Sequence, residues 1–513
     1  MDISRWVSHR ADWSPGKLAV HFQGADVTYA EMESRVGRAA AALRDGLGVR
    51  SGERVAYLGL NSPVLLELLF ACARLGAILV PLNWRLTPAE HAVILSDCEP
   101  AALLVEPELQ PAMDRLLSER PAIQPVSCGG RAEGAERAAW RDLAALLDAA
   151  GTLDPGSRDE LTSPVLIGYT SGTTGRPRGA VLTQEALFYN AVNSVAALDM
   201  TSADHVLTVL PMFHVGGLNI QTTPAIHAGA TVTIARRFDP AQTLELIGSR
   251  RPTLFLAVPT VAQAVASHPA FATTDLSSLR CMTTGSSVVP ETVIRPWLAR
   301  GVPVTQVYGM TESGPTAIAL PIADARRKPD SCGKPVPHCL ARVVDPSGQD
   351  VPRGERGEIW LRGPNLTAGY WRNPEATAEA YTEGWFHTGD VGHQDAEGYF
   401  YVDDRKMEVV ISGGENVYPA ELESVLADCP DIAEAAVVGR PDPRWGEVPV
   451  ACVVPRPGAG LSREDVLGLF RDRLARYKHP RDVVFLDALP RTVMGKVQKF
   501  KLRDLVDPRH PPR

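Results

Sequence analysis

The sequence predicts a multidomain α/β protein: a large N-terminal domain of stacked α/β sheets, a β-rich subdomain, and a small α+β C-terminal domain. Three observations carry that prediction. Apolar strands alternate with amphipathic helices from about residue 54 to 105 and again from about 164 to 308, the rhythm of a parallel sheet with helices on its faces. From about 330 the apolar runs shorten, and turn signals recur at Asp345-Pro-Ser-Gly, Pro352-Arg-Gly and Ala396-Glu-Gly, a β-rich texture. After Asp404-Arg405 the texture changes again, to a compact α+β unit of roughly 110 residues. The expected divisions are 1–404, with 330–404 as the β-rich subdomain, and 408–513. The final seven residues, Asp507-Pro-Arg-His-Pro-Pro-Arg513, are expected to be disordered.

Each element has a local cause. Thr28 caps a helix with Glu31 three residues on, and Met32, Val36, Ala39, Ala40 and Leu43 follow at helical spacing. Arg54–Leu60 reads as a buried strand, Ser62 opens a helix to Leu75, and Ala77–Pro81 is a strand. Residues 106–160 are poorly patterned and read as peripheral helices and loops. Pro164–Gly168 is a short strand, and Ala180–Leu187 is a strand end running into a helix. His205–Leu210, Ala230–Ala235, Thr253–Val258, Cys281–Thr284 and Val302–Tyr308 are further strands.

Composition excludes several classes. With 513 residues, 45% apolar and 22% charged, the chain has the make-up of a soluble globular enzyme. A net charge of −8 argues against nucleic acid as a main partner. The eight cysteines form no CxxC pair and no metal-ligand spacing, as expected of reduced thiols in a cytoplasmic protein. Met1-Asp-Ile-Ser-Arg-Trp-Val lacks the basic-then-apolar pattern of a signal peptide. The longest apolar run, near Val64 to Val80, is broken by Glu67 and Arg74, so no membrane span is expected.

The chemistry centres on Tyr169-Thr-Ser-Gly-Thr-Thr-Gly-Arg-Pro-Arg-Gly179. Its glycines admit a ligand close to the backbone, its hydroxyls add donors, and its arginines add fixed positive charge. That is a loop for a polyphosphate. The nucleoside-triphosphatase pattern G-x-x-x-x-G-K-S/T is not met, because Arg178-Gly179 stands where Lys-Ser/Thr is required. The segment closely resembles the signature of the adenylate-forming acyl-CoA synthetases, Y/F-T/S-S/G-G-S/T-T-G-x-P-K-G, with Arg178 at the usual lysine.

Further segments resemble that family in its order, from residue 169 to 496. By the resemblance, Thr170, Ser171, Gly172, Thr173, Thr174, Gly175 and Arg178 bind ATP. His214, in Pro211-Met-Phe-His-Val-Gly-Gly217, lies beside the substrate carboxylate with Val215 on the pocket wall. Histidine is also the side chain that most readily exchanges a proton near neutral pH. Thr284-Gly-Ser-Ser-Val288 stands where the family has Gly-Gly-Ala-Pro and keeps only Gly285, so Ser286, Ser287 and Val288 reshape a surface touching adenine and the acyl group. Tyr308-Gly-Met-Thr-Glu312 matches Y-G-x-T-E: Tyr308 stacks on the purine beside Gly309, Thr311 donates to the α-phosphate, and Glu312, with Thr170, holds Mg²⁺. Trp385–Asp390 resembles W-x-x-T-G-D, placing Asp390 and Arg405 on the ribose.

In the family, residues 405–407 form a hinge to a mobile C-terminal domain; the pivot, usually Lys or Asp, is Met407 here. Ile411–Glu421 matches the segment that meets the pantetheine arm of CoA, with Ser412, Gly413 and Gly414 as the contacting residues. Pro490-Arg-Thr-Val-Met-Gly-Lys496 resembles P-x-T-x-x-G-K, which makes Lys496 the catalytic lysine.

The resemblance implies activation of a carboxylic acid by Mg·ATP to acyl-AMP, with release of pyrophosphate, then transfer to CoA to give an acyl-CoA thioester. A fatty or an aromatic acid is expected, since Met212, Val215, Leu218 and Val288 suit either. The alternative is an acceptor other than CoA: a carrier-protein arm, an amine or another small nucleophile. A third reading is a non-catalytic ligand-binding relative. The expected partners are the acid, ATP and CoA, with a homodimer left open.

Overall fold

The computed structural model describes the chain except for residues 1–2, 157–160, 172–176, 286–288, 406–407, 409, 413–414, 418, 443–444, 472, 475, 492–496 and 508–513. It divides into two compact units. The first comprises Met1–Ser286, Thr292–Ala341 and Leu361–Phe386; the second comprises Ser287–Glu291, Arg342–Trp360 and His387–Arg513. Among the described residues, no helix is long and apolar enough to cross a membrane.

Two sheets organise the first unit. One has seven strands, ordered Arg141–Asp142, Gln124–Ser127, Ala102–Val105, Arg54–Leu58, Ile78–Leu82, Pro164–Ser171 and Pro177–Thr183. All its neighbours are parallel except the last pair. The other has nine strands, with a parallel centre running Leu18–Phe22, Thr231–Ile234, His205–Thr208, Leu254–Leu256, Cys281–Gly285 and Val304–Tyr308.

The two faces of the seven-stranded sheet belong to different cores, because side chains alternate along a strand. Val55 and Tyr57 join a core that also holds Val206, Val232 and Leu254 of the other sheet. Ala56 and Leu58 face an outer core with Ile94, Leu95 and Met113. The helix Pro63–Leu75 contributes to the shared core and has ten of its thirteen residues buried, so it reads as apolar on every face. Ser62 caps it and Gly76 ends it in the left-handed region, φ 72°.

Three sequence expectations change. Residues 106–160 are not merely peripheral: Gln124–Ser127 and Arg141–Asp142 extend the seven-stranded sheet. The strand expected at Pro164–Gly168 runs on to Ser171 and turns back antiparallel. The nine-stranded sheet also takes in Leu18–Phe22 and Ala25–Thr28, an N-terminal hairpin that the pattern did not announce.

In the second unit, Asp390–Gln394 pairs antiparallel with Phe400–Arg405. Its C-terminal part is built on the long hairpin Ile432–Asp442 and Gly446–Pro455. Val437, Ala451 and Val453 face the helix Pro419–Ala427, whereas Val438, Val450 and Cys452 face the helix Lys499–Val506. Asp482–Phe485 adds a parallel edge.

Candidate functional site

The phosphate-loop candidate is the end of a β-hairpin. Thr170 stands opposite Arg178 and Ser171 opposite Pro177, so the hydroxyls and the arginine lie on facing strands. Gly172, Thr173, Thr174 and Gly175, between them in sequence, lie outside the described residues. The Thr170 hydroxyl donates to Arg178 O over a long 3.4 Å. The hairpin is anchored away from its tip: the Tyr169 hydroxyl bonds the Asp97 carboxylate, and Trp371 Nε1 donates to Asp97 O at 3.3 Å.

The segment 367–371 runs along the outer hairpin strand. Ala368 N–H donates to Val181 O and Val181 N–H to Gly369 O, both at 2.9 Å, and Trp371 N–H donates to Gly179 O at 2.7 Å. Thr367 N–H donates to Glu312 O at 2.7 Å, which fixes the turn Thr311–Ser313 against the same segment. Asn365 Nδ2 donates to Ser313 O at 2.8 Å.

Glycine is required on both sides of this junction. A Cβ on Gly309 would lie 1.7 Å from Pro315 O. A Cβ on Gly168 would lie 2.7 Å from Thr311 Cγ2 and 3.7 Å from Val215 Cγ1. Close approach at Gly168 thus brings together three of the predicted segments: the hairpin, the Tyr308–Glu312 segment and the His214 turn.

Glu312 is buried, with 8% of its surface exposed. The Tyr370 hydroxyl donates to its Oε1 at 3.0 Å. Burial, and then the Glu312 charge, raise Tyr370 above the ordinary phenol range; Tyr381 is raised by the same two causes. Arg178 sits over the Tyr370 ring, 5.6 Å from its centroid.

His214 caps the short helix Val215–Asn219, its Nδ1 accepting from Gly216 N–H at 3.1 Å. That bond places the proton of the neutral ring on Nε2. Burial lowers the imidazole to about 4. Both effects favour the neutral imidazole with its proton on Nε2. The preceding backbone is held by Asn61, which donates to Leu210 O and Ala235 O at 2.9 and 3.0 Å and accepts from Met212 N–H at 2.8 Å. Met212, Val215 and Leu218 are buried, and Val215 and Met212 belong to the shared core.

Gly285 ends a parallel strand beside Val307, whose carbonyl oxygen would lie 2.2 Å from a Cβ there. Tyr308 follows on the adjacent strand, so both sit at carboxyl ends of a parallel sheet, where α/β folds bind ligands. Ser286, Ser287 and Val288 lie outside the described residues.

In the second unit, Asp390 is 4% exposed and stands opposite Arg405, whose side chain lies outside the description. Asp390 N–H donates to Thr388 Oγ1 at 3.1 Å, and Thr388 Oγ1 donates to Ile359 O at 2.6 Å. Ser412 is buried and pairs with Glu415 and Gly446. Gly413, Gly414, Met407 and Lys496 lie outside the described residues. Arg491 bridges to Val497, and Gln498 N–H donates to Pro490 O at 2.7 Å, so the chain closes on either side of the lysine segment.

Sequence reading missed Tyr370, Thr367, Asn365 and Asn61. The available signal was weak: Gly369-Tyr-Trp371 ahead of the helix-capping Asn373-Pro374 reads as an ordinary loop.

The oxygen donors at this site suit a hard divalent cation. Glu312 is a buried carboxylate and Thr170 a hydroxyl, and magnesium needs only one or two protein oxygens beside phosphate and water. Among the described residues, no group of three His, Cys, Asp or Glu could hold a metal without such help.

A fold of this kind, with a glycine-rich hairpin beside a buried glutamate, is that of an adenylating enzyme. Residues 7–371 match the AMP-binding enzyme family and residues 421–496 its C-terminal domain, and the chain belongs to that family. It is 49% identical over 509 residues to an indoleacetate–CoA ligase of Aromatoleum aromaticum, covering 99% of this chain and 98% of that one. It is 42% identical over 501 residues to a feruloyl-CoA synthase of an Amycolatopsis species, covering 98% of each. The ATP-bound MatB structure from Rhodopseudomonas palustris superposes with a TM-score of 0.90 at 32% identity, over 98% of this chain and 99% of that one.

Proposed function

We propose that this chain converts an apolar aromatic carboxylic acid to its CoA thioester in two steps at the hairpin site. It is an AMP-forming acid–thiol ligase using ATP and CoA. One observation carries the reading of the site: the hairpin strand at Gly168 packs on both Thr311 and Val215, so phosphate-side and acid-side residues share one junction.

In the first step a carboxylate oxygen attacks the α-phosphorus of ATP, and the bond to the pyrophosphate oxygen breaks. The Nε2–H of His214 donates to the acid and orients it without giving up its proton. Thr170 and Thr311 supply hydroxyl donors to phosphate oxygens, and Arg178 supplies positive charge. Glu312 and Thr170 would hold magnesium, which neutralises phosphate charge. Asp390 and Arg405 hold the ribose, and the Lys496 ammonium bridges carboxylate and α-phosphate. In the second step the C-terminal domain, residues 408–513, turns about Met407, withdrawing Lys496 and presenting Ser412, Gly413 and Gly414 to CoA. The thiol sulfur then bonds the acyl carbon, the bond from that carbon to the phosphate oxygen breaks, and AMP leaves while the thiol proton passes to water. Dividing the steps between two arrangements limits water attack on the mixed anhydride.

Identity to an indoleacetate and a feruloyl ligase over nearly the whole chain favours an aryl acid, and the apolar side chains Met212, Val215 and Leu218 flanking His214 in sequence suit an apolar one. The test is acid-dependent pyrophosphate release across arylacetic, hydroxycinnamic and fatty acids, with and without CoA. An aryl acid should give the highest kcat/KM and yield thioester when CoA is added. A fatty acid preferred over every aryl acid overturns the substrate class. Pyrophosphate release that CoA never converts to thioester overturns the acceptor.

A further inference from the structure

Arg178 replaces the lysine of the family pattern, and the structure shows what its planar head meets. The guanidinium lies 5.6 Å from the centroid of the Tyr370 ring, within the range of a cation–π contact. The same ring carries the hydroxyl that donates to Glu312 Oε1 at 3.0 Å. We infer that Tyr370 is the positioning residue of the Glu312 carboxylate for adenylation, and that Arg178 acts on Glu312 by holding the Tyr370 ring.

The geometry is fixed from several sides. Tyr370 N–H donates to Thr377 Oγ1 at 2.9 Å, and Tyr370 pairs with Ala180 on the outer hairpin strand. Glu312 is tied to the same segment by its backbone oxygen, which accepts from Thr367 N–H at 2.7 Å. The carboxylate and its donor therefore hang from one stretch of five residues, and that stretch is laced to the hairpin that carries Arg178. A point-charge ammonium would attract the ring without matching its plane, whereas a guanidinium stacks on it.

This inference rests on the proposed role of Glu312, and the experiment separates the two. Full-length Tyr370→Phe, Arg178→Lys, Arg178→Met, Glu312→Gln and the Tyr370→Phe/Glu312→Gln pair are compared for three properties. These are acid-dependent pyrophosphate release, thioester formation from supplied acyl-AMP and CoA, and thermal melting. Tyr370→Phe keeps the ring and removes a hydrogen bond to a charged group, so adenylation kcat should fall about 10–100-fold. KM for ATP and the thioester step should change little. Arg178→Lys should lose less than Arg178→Met, and the Tyr370/Glu312 pair should be no slower than Glu312→Gln alone.

Equal loss of both half-reactions in Tyr370→Phe, alongside a lowered melting temperature, would mark Tyr370 as merely structural and overturn the inference. So would additive losses in the pair, or wild-type adenylation by Tyr370→Phe while Glu312→Gln is impaired. Wild-type adenylation by Glu312→Gln would overturn the role of Glu312 itself, and the inference with it.

Discussion

Gly168→Ala tests whether the hairpin sets the position of Thr311. The new Cβ would lie 2.7 Å from Thr311 Cγ2. Carbon atoms rest at about 3.5–4.0 Å, so the two groups must separate by about 0.8–1.3 Å. Neither side yields easily. Gly168 lies within a paired strand, and Thr311 is buried in a turn whose next residue is bonded to Thr367. Overpacking of this kind costs about 1–3 kcal/mol of stability. The larger effect is on rate, because a displacement of about 1 Å in a positioning group costs on the order of 100-fold. The assay is the steady-state rate of acid-dependent pyrophosphate release, with a melting curve on the same sample. Gly16→Ala is the control, since a Cβ there meets nothing within 4 Å. Wild-type kcat in folded Gly168→Ala enzyme would refute the reasoning, because the packing at Gly168 would then have no hold on the chemistry.

Two further outcomes are expected. Lys496→Ala should abolish adenylation from acid and ATP yet spare thioester formation from supplied acyl-AMP; equal loss of both would remove Lys496 from the first step. Burial lowers His205, His214 and His227 to about 4 from an ordinary 6.5. The unfolded chain therefore takes up protons below about 6.5 that the fold refuses until about 4. Stability should be level above 6.5 and decline as pH falls towards 4, measured as melting temperature against pH, and His214→Gln should soften that decline. A decline of unchanged steepness in His214→Gln would contradict the burial argument.

Much of the fold was legible because its determinants are local. The Thr28–Glu31 capping box lies within four residues, and Ser62 beside Pro63 marks a helix start by chemistry alone. The central parallel strands are runs of apolar residues buried on both faces, so composition announces them. The short edge strands were not legible. Gln124–Ser127 contains a proline and Arg141–Asp142 is two exposed charged residues, and neither offers a period to read. The hairpin was half legible: its glycines and hydroxyls were evident, but its antiparallel return depends on pairing across the loop.

By itself the sequence determined the adenylating class, because the segments that resemble the family's signatures are short and ordered along the chain, each carrying its own chemistry. It also marked Arg178 and Met407 as departures. Only the tertiary structure decided what Arg178 faces, which hydroxyl bonds Glu312, and that burial lowers His214 from its ordinary range. The reason is physical. The Tyr370–Glu312 bond joins residues 58 apart, and the state of His214 depends on burial by strands and helices that its own segment does not encode. Local chemistry names the groups, whereas their distances and charges arise when packing brings distant segments together and removes water from between them.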